Sequence, residues 1–424
     1  MKHLISVTAL LLSAAACSSS PTGDGAGGAS PSAGGPAGGS ANPAGGANTA
    51  GGASPLGGGG AGNSSAGGHA GAVGIAGGNP AGGAAPTAGA PGAGGGSAGA
   101  GTAGSNTGMG GSAAGGMPGS AGSGPAATFK CDNLSLAPST TGVAKPAGAA
   151  GGLKVIDWAG FKGAVSFTFD DNTPSQLSNY AALKGTGGHF TWFLIASSAG
   201  SGYKATIADG QEIANHTQTH PSNASQGEVT NAQSTLKTNY SVDVHSMAAP
   251  NCADAWAAFA TPAQLFQNRG PCGNGVATVG PRDNTDPFKL PAYLPAAGEA
   301  SATMSGSIQG GKWRIFVIHG FDSQNGTYQP VPIANVTGSM SKAVTDGYWV
   351  EGITNVGAYW QGQKLIPATA TTSATWTLPA NFPKNMCVRV TTSGGTVTQK
   401  GETIGWNDHG YYQISLDAGE VTIK

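Results

Sequence analysis

Charge is the first thing this 424-residue chain is short of: 19 Lys and Arg stand against 20 Asp and Glu, and 9% of residues are charged in all. A balance near zero with the basic residues scattered excludes the electrostatic footprint of a nucleic-acid binder and leaves a neutral, polar partner as the better fit. Aromatic residues are absent from 18–127, as are Lys, Arg and Glu, and Asp24 is the sole acid there. That stretch of Gly, Ala, Ser, Pro and Thr cannot bury enough apolar surface to offset its ordering entropy. Its glycines keep no every-third-residue register, which excludes collagen, so a long disordered tether is expected. A Gly-rich coil of about 110 residues has an r.m.s. span of about 60 Å. Beyond the N-terminus no apolar run reaches the ~18 residues that a membrane span needs. No C-x-x-C pair occurs, which argues against a cysteine-held zinc site.

Apolar residues reach ordinary density only from Phe129 onward, over about 300 residues, enough for one large domain and a small one. Before the tether, Met1, Lys2 and His3 precede the largely apolar run 4–12, then Ser13, three alanines and Cys17. This reads as a bacterial export signal in 1–17. Small residues running into a cysteine resemble a lipoprotein cleavage box, which makes Cys17 the expected lipidation site. The expected location is the cell envelope, lipid-anchored, or otherwise the medium; contact with a membrane is expected only through that anchor. Cys131, Cys252, Cys272 and Cys387 remain, and an even number in an exported chain favours two disulfides among three permitted pairings. Cys252 with Cys272 is favoured because it closes a short loop. Cys131 with Cys387 would tie the start of the large domain to the tail.

The segment 164–169 (AVSFTF) is β-branched and aromatic and stops at Asp170 and Asp171, after which Asn172, Thr173 and Pro174 open a helix-like stretch to about Lys184. Two adjacent acids at the C-terminal end of a strand stand where α/β barrels carry their chemistry. A second strand is predicted over 189–195 and a short polar helix around 208–213. His216 and His220, four apart in NHTQTHP, can point the same way from one helical turn and grip one metal. The apolar run 313–318 (WRIFVI) delivers His319 at its end. Three segments converging on one rim are far less expected by accident than any one of them.

In this order and spacing, T-F-D-D, H-T-x-T-H and I-H resemble the first, second and fifth motifs of the NodB-homology polysaccharide deacetylases, carbohydrate esterase family 4. The segment 347–360 (GYWVEGITNVGAYW) is similar to that family's closing strand and helix. The resemblance covers roughly 152–364 and implies a distorted (β/α) barrel in 128–364 with a divalent metal, zinc first among the candidates and cobalt or nickel compatible with the ligand set. It implies Asp171, His216 and His220 as ligands, trimmed by Thr217 and Thr219. Asp170 would be general base, His319 general acid, and the N–H of Asn251, beside Pro250, the oxyanion donor. The implied substrate is an acetylated polysaccharide, an N-acetylated amino-sugar polymer such as chitin or peptidoglycan, acted on by a monomer.

Two departures stand out. Where the family carries an Arg before a proline to aim the base, this chain has Ala248, Ala249 and Pro250, and no fourth motif is recognisable. Only Arg269, Arg282, Arg314 and Arg389 are available as substitutes. A Cys252–Cys272 bond brings the two Cα atoms within about 7 Å and draws Arg269 toward the Pro250 loop, which makes it the candidate base partner. The missing Arg also keeps open a non-catalytic, surface-displayed glycan-binding lipoprotein, and an O-acetyl esterase acting on xylan asks for the same machinery as an amidase. The tail, 365–424, alternates Thr, Val, Trp and Tyr with turn residues and is expected to form a small antiparallel β domain whose Trp406, Tyr411 and Tyr412 cover its own core.

Overall fold

The computed structural model describes residues 129–424 apart from 322, 324, 325 and 369. The expected export signal, Cys17 and the 18–127 tether lie outside the described residues. Strand β1 (Lys154–Val155) comes first, followed by β2 (Ala164–Asp170), β3 (Thr191–Leu194), β4 (Glu212–Asn215), β5 (Ser246–Ala248), β6 (Gln267–Cys272), β7 (Leu290–Ala292), β8 (Trp313–Ile318) and β9 (Trp349–Val350). Strands β2 to β8 form a parallel sheet in the order β7-β6-β5-β4-β3-β2-β8, with β9 also pairing β2. The N–H of Tyr293, just past β7, donates to Ile315 O (2.7 Å), and the N–H of Val317 donates to Tyr293 O (2.9 Å), so β7 meets β8 and the sheet nearly closes on itself. The distorted (β/α) barrel expected from the sequence is the observed fold. All residues of β2 and β8 are buried, as a parallel sheet covered on both faces requires. Alternate residues serve two cores: Ala164, Phe193, Ile315 and Val317 face one, while Val165, Phe167, Trp192 and Phe316 pack in the other.

Two predicted elements differ. The helix expected around 208–213 is a helix at Tyr203–Ile207 followed by strand β4, which pairs with β3 from Thr191↔Glu212 to Leu194↔Asn215. Four residues are too few to show a period, and pairing with a neighbouring strand decides their state. The helix-like stretch after Asp171 is two short helices, Pro174–Ser178 and Tyr180–Lys184.

The tail supplies β10 (Ser373–Thr375), β11 (Cys387–Thr391), β12 (Val397–Gln399), β13 (Glu402–Thr403), β14 (Trp406–Asn407), β15 (Tyr411–Ser415) and β16 (Glu420–Ile423). They form two antiparallel sheets, β1-β11-β15-β14 and β10-β16-β12-β13, so β1 belongs to the tail's sheet. Tyr411 and Tyr412 are buried, and the half-buried Trp406 donates from Nε1 to Val143 O at 2.9 Å. Between barrel and tail lies the helix Ile353–Leu365, buried at every position from Ile353 to Gln363 except Asn355.

Gly357 shows how tightly that helix is held. A Cβ there would sit 1.9 Å from Gln267 Oε1, and Gln267 is itself anchored by donating from Nε2 to Ser246 Oγ and Ile353 O, each at 2.8 Å. Gly→Ala inside a helix ordinarily gains about 1 kcal/mol, but overpacking of a filled core costs about 1–3 kcal/mol. Gly357→Ala is therefore expected to lower stability by up to about 2 kcal/mol in urea denaturation; a raised midpoint would mean that Gln267 yields freely.

Candidate active site

The C-terminal ends of the parallel strands place the chemistry on one rim. Asp170 ends β2, His216 follows β4, Pro250 and Asn251 follow β5, and His319 follows β8. The chain turns away from each strand through backbone that L residues rarely adopt: Asp171 (φ 74°), Asn172 (φ 54°), Thr217 (φ 67°), His220 (φ 57°), Asn251 (φ 53°) and Cys252 (φ 54°). These are six of the fourteen such non-glycine residues described, so strain is concentrated here. Local bonds hold it. The Asn172 side chain accepts from Ile195 N–H (3.0 Å) and donates to Ile195 O (2.9 Å), and the His220 N–H donates to Thr217 Oγ1 (3.1 Å). The helical turn expected for His216 and His220 does not occur. Regular pairing stops at Asn215, and the left-handed Thr217 and His220 curl the loop so that the two imidazoles lie edge to face at 4.7 Å. Thr219 is turned to Glu228, to which its N–H donates at 2.7 Å and its hydroxyl at 2.9 Å.

Asp171 Oδ1 lies 3.3 Å from His216 Nε2 and 3.7 Å from His220 Nε2. One ligand atom from each of the three falls within 4.8 Å of the others. His216 Nδ1 is 3.0 Å from Ala248 O, and a carbonyl only accepts, so Nδ1 carries the proton and Nε2 presents its lone pair to the site. Asp171 Oδ1, though buried, has no well-aligned hydrogen-bond donor among the described residues. The His216 lone pair, the His220 imidazole and a carboxylate oxygen within reach of one another fit a divalent cation. Burial would raise the Asp171 pKa, but the contact with His216 and the charges of His216, His319 and His220 outweigh it and hold the carboxyl at about 2. Burial lowers His216, yet the Asp170 and Asp171 carboxylates bring it above its ordinary value; burial and the neighbouring His216 keep His220 below.

Asp170, 2% exposed, receives a hydrogen bond at Oδ2 from Arg269 Nη2. Arg269, 1% exposed, also donates from Nη1 to Thr168 Oγ1 at 2.9 Å, and its guanidinium lies 5.0 Å over the Phe193 ring. It arrives on β6, where its Cα pairs with Ala248 and its carbonyl accepts from Ala249 N–H at 3.0 Å. The cation thus enters one strand along from the position where the family motif would carry it. Asp170 Oδ1 is buried and has no partner among the described residues. His319 Nε2 stands 4.0 Å from Asp171 Oδ2, and the His319 carbonyl is held by Thr173 Oγ1 (2.6 Å) and Gln176 Nε2 (2.9 Å). Its Nδ1 has no partner among the described residues, and burial lowers its pKa.

A cavity of about 490 Å³ joins Asp170, Asp171, His216, His220, Asn251 and His319. Sequence reasoning missed two more of its lining residues, Leu294 and Tyr328. Tyr328 is 58% exposed and meets the His319 ring edge to face at 5.2 Å. Its only sequence signal is an aromatic in a polar, Gly-containing stretch soon after His319. Cys252 is bonded to Cys272 beside the cavity, and Cys131 to Cys387 away from it. Arg282 and Arg314 donate to backbone carbonyls, at Ile366 and Ser307, and Arg389 to Ala159 and Leu136, so none of the three touches Asp170.

Residues 160–257 match the family model described as polysaccharide deacetylase. This bears out the resemblance read from the motifs; the match includes Asp170, Asp171, His216, His220 and Asn251 and ends before Arg269 and His319. No curated protein matches the chain. Among solved structures, the chain is similar to the Xyl-CE4 domain of a multidomain xylanase from the hindgut metagenome of Trinervitermes trinervoides, at 19% identity over 50% of this chain and 95% of that one, with a TM-score of 0.34. It is also similar to peptidoglycan deacetylase PdaC from Bacillus subtilis, at 16% identity over 46% and 89%, TM-score 0.31. A family 4 acetyl xylan esterase from Clostridium thermocellum, solved in complex with a cobalt ion, aligns at 14% identity over 46% and 89%, TM-score 0.34.

Because His216 must be neutral to bind a cation and its pKa lies above the ordinary 6.5, affinity for Zn²⁺ is expected to fall by about tenfold per pH unit once the pH drops below that raised value. Calorimetric titrations between pH 8 and 5.5 measure this; a flat profile would mean that His216 is not a ligand.

Proposed function

We propose that this chain hydrolyses acetyl groups from a polysaccharide, most simply the N-acetyl groups of a chitin-like or peptidoglycan-like amino-sugar polymer, with a divalent ion held by Asp171, His216 and His220. The observation that carries the reading is the placement of Asp170, which lines the same cavity as the three ligand residues with one carboxylate oxygen anchored by Arg269 and the other buried and without a partner among the described residues. The ion, when bound, supplies Lewis acidity and makes water acidic enough to be deprotonated near neutral pH. The protein supplies the rest. Asp170 Oδ1 accepts the proton of the attacking water, and the Arg269 pair keeps that carboxylate aimed. The Asn251 N–H donates to no protein acceptor among the described residues, and Asn251 lines the cavity, so that N–H is the donor assigned to the oxyanion that develops on the acetyl oxygen. His319 then passes a proton to the departing nitrogen, releasing acetate and a free amine.

The ground for a non-catalytic glycan-binding reading was the arginine missing before Pro250; Arg269 meets Asp170 from the neighbouring strand, which supports the hydrolytic reading instead. An ester carbonyl asks for the same groups, so xylan O-deacetylation differs only in what the cavity admits. Zinc is the proposed ion. The lipid anchor, export to the cell envelope and a monomeric state complete the proposal and rest on the sequence.

Acetate release from chitin oligomers, peptidoglycan and acetylxylan, with chelator and with Zn²⁺ restored, tests it. Release from the amino-sugar polymers that chelator abolishes and Zn²⁺ restores is expected. Release from xylan alone would make the enzyme an esterase, and release from none would leave the binding reading. Arg269→Lys keeps the charge but loses the two-pronged contact with Asp170 and Thr168, so kcat is expected to fall by about 10–100-fold with Zn²⁺ affinity held within about twofold. Unchanged turnover would remove Arg269 from the mechanism.

A further inference from the structure

After β5 the chain passes through a three-residue turn, Pro250–Cys252, in which Asn251 and Cys252 are both left-handed (φ 53° and 54°). Pro250 is buried, but few hydrogen bonds hold the turn. The Cys252 N–H donates to Ala249 O (3.0 Å) and the Ala253 N–H to Pro250 O (3.1 Å), both local to the turn, while Asn251 is exposed and neither its side chain nor its N–H makes a hydrogen bond among the described residues. Ala249 N–H, just before the turn, donates to Arg269 O (3.0 Å), and the covalent tie that reaches outside the turn is the bond from Cys252 to Cys272, with Cα atoms 5.7 Å apart. Cys272 is the last residue of β6, three beyond Arg269, and the pairing of β6 with β7 shifts register between those two residues. The ladder is regular at Arg269, which pairs with Ala248 and Leu290, and becomes irregular just beyond it, toward Cys272. Both cysteines line the cavity with Asp170 and His216, and both are only partly buried.

We propose that the Cys252–Cys272 disulfide is a positioning device for the reaction: it holds the strained turn so that the Asn251 N–H faces the acetyl oxygen, and it braces the end of β6 behind Arg269. One covalent link thereby sets the oxyanion donor and the partner of the base relative to each other. Cys131–Cys387 serves as the internal contrast. It joins the segment before the barrel to β11, with Cys387 fully buried, and neither cysteine lines the cavity. The duty assigned to the Asn251 N–H rests on the hydrolytic reading above; the bracing of the turn does not.

The test uses the full chain in three forms: native, Cys252→Ser with Cys272→Ser, and Cys131→Ser with Cys387→Ser. Loss of the cavity disulfide is expected to lower kcat by about 100-fold, the scale of a misplaced donor, with KM and Zn²⁺ affinity within about twofold. Loss of the remote disulfide is expected to lower Tm and leave kcat intact. Hydrogen exchange followed by mass spectrometry gives a readout that needs no turnover: the amides of Cys252 and Ala253 should exchange faster in the first variant while those of 212–216 stay as in the native chain. Equal kcat and equal exchange would overturn the proposal, as would a fall in kcat matched by a fall in Zn²⁺ affinity, which would mark a general loss of structure. Should the native chain release acetate from no glycan, the hydrolytic reading fails by itself, and exchange at Cys252 and Ala253 still decides whether the disulfide braces the turn. If the first variant does not fold, brief reduction of the native protein with a phosphine and alkylation of the freed thiols supplies the same comparison.

Discussion

The buried ion pair between Arg269 and Asp170 is the constraint around which the barrel is arranged. Strands β2 and β6 are not neighbours; β3, β4 and β5 lie between them in the sheet. The pair therefore crosses the barrel's mouth instead of running along a sheet. Either charge alone, at 1–2% exposure, would carry an uncompensated penalty of about 3–5 kcal/mol. It is tolerated because the guanidinium also meets Thr168 and the face of Phe193, which spreads the charge over a hydroxyl and a ring. A carboxylate tied at one oxygen cannot swing, so its second oxygen keeps a fixed direction without any further support.

Left-handed backbone around the rim follows from the same geometry. A parallel strand points its last residues straight out of the barrel, whereas the groups of the pocket must turn inward over its mouth. Each non-glycine residue forced into that conformation costs about 1–3 kcal/mol, and the cost persists because the surrounding bonds leave no alternative. Asn172 bridging to Ile195 and His216 leaning on Ala248 O are such bonds: each links the end of one strand to the end of another. Rigidity at the rim is thus shared between loops that belong to different strands.

Much of this was legible in the sequence where a residue's role is set by its immediate neighbours. The runs 164–169 and 313–318 are long enough, and β-branched enough, to announce strands β2 and β8, and the polar residues ending them announced the rim. Where the deciding contact is remote, legibility failed. Strand β4 is four residues whose state is settled by pairing with β3, and the His216–His220 loop takes its shape from two left-handed residues that no pattern signals. Arg269 could be singled out only by elimination among four arginines and a disulfide argument, since nothing around it in the sequence distinguishes it from a surface cation. Tyr328 escaped altogether, because an aromatic in a polar loop reads the same whether it meets His319 or solvent. The place of β1 was equally hidden: two residues pair antiparallel with β11, as Lys154↔Thr391 and Val155↔Val390, and no local feature foretells that.

The helix Ile353–Leu365 has no solvent-facing side, being covered by the barrel on one flank and by the tail's sheets on the other. A ribosome that has released the chain through Tyr328 has already made every group of the pocket, yet that helix and the sheets that cover it have still to emerge. The nascent barrel must wait with its underside open, and β1, made before any barrel strand, waits longest, for its partner lies near the other end of the polypeptide. Assembly of the pocket is in this sense a late event, governed by residues that never touch it.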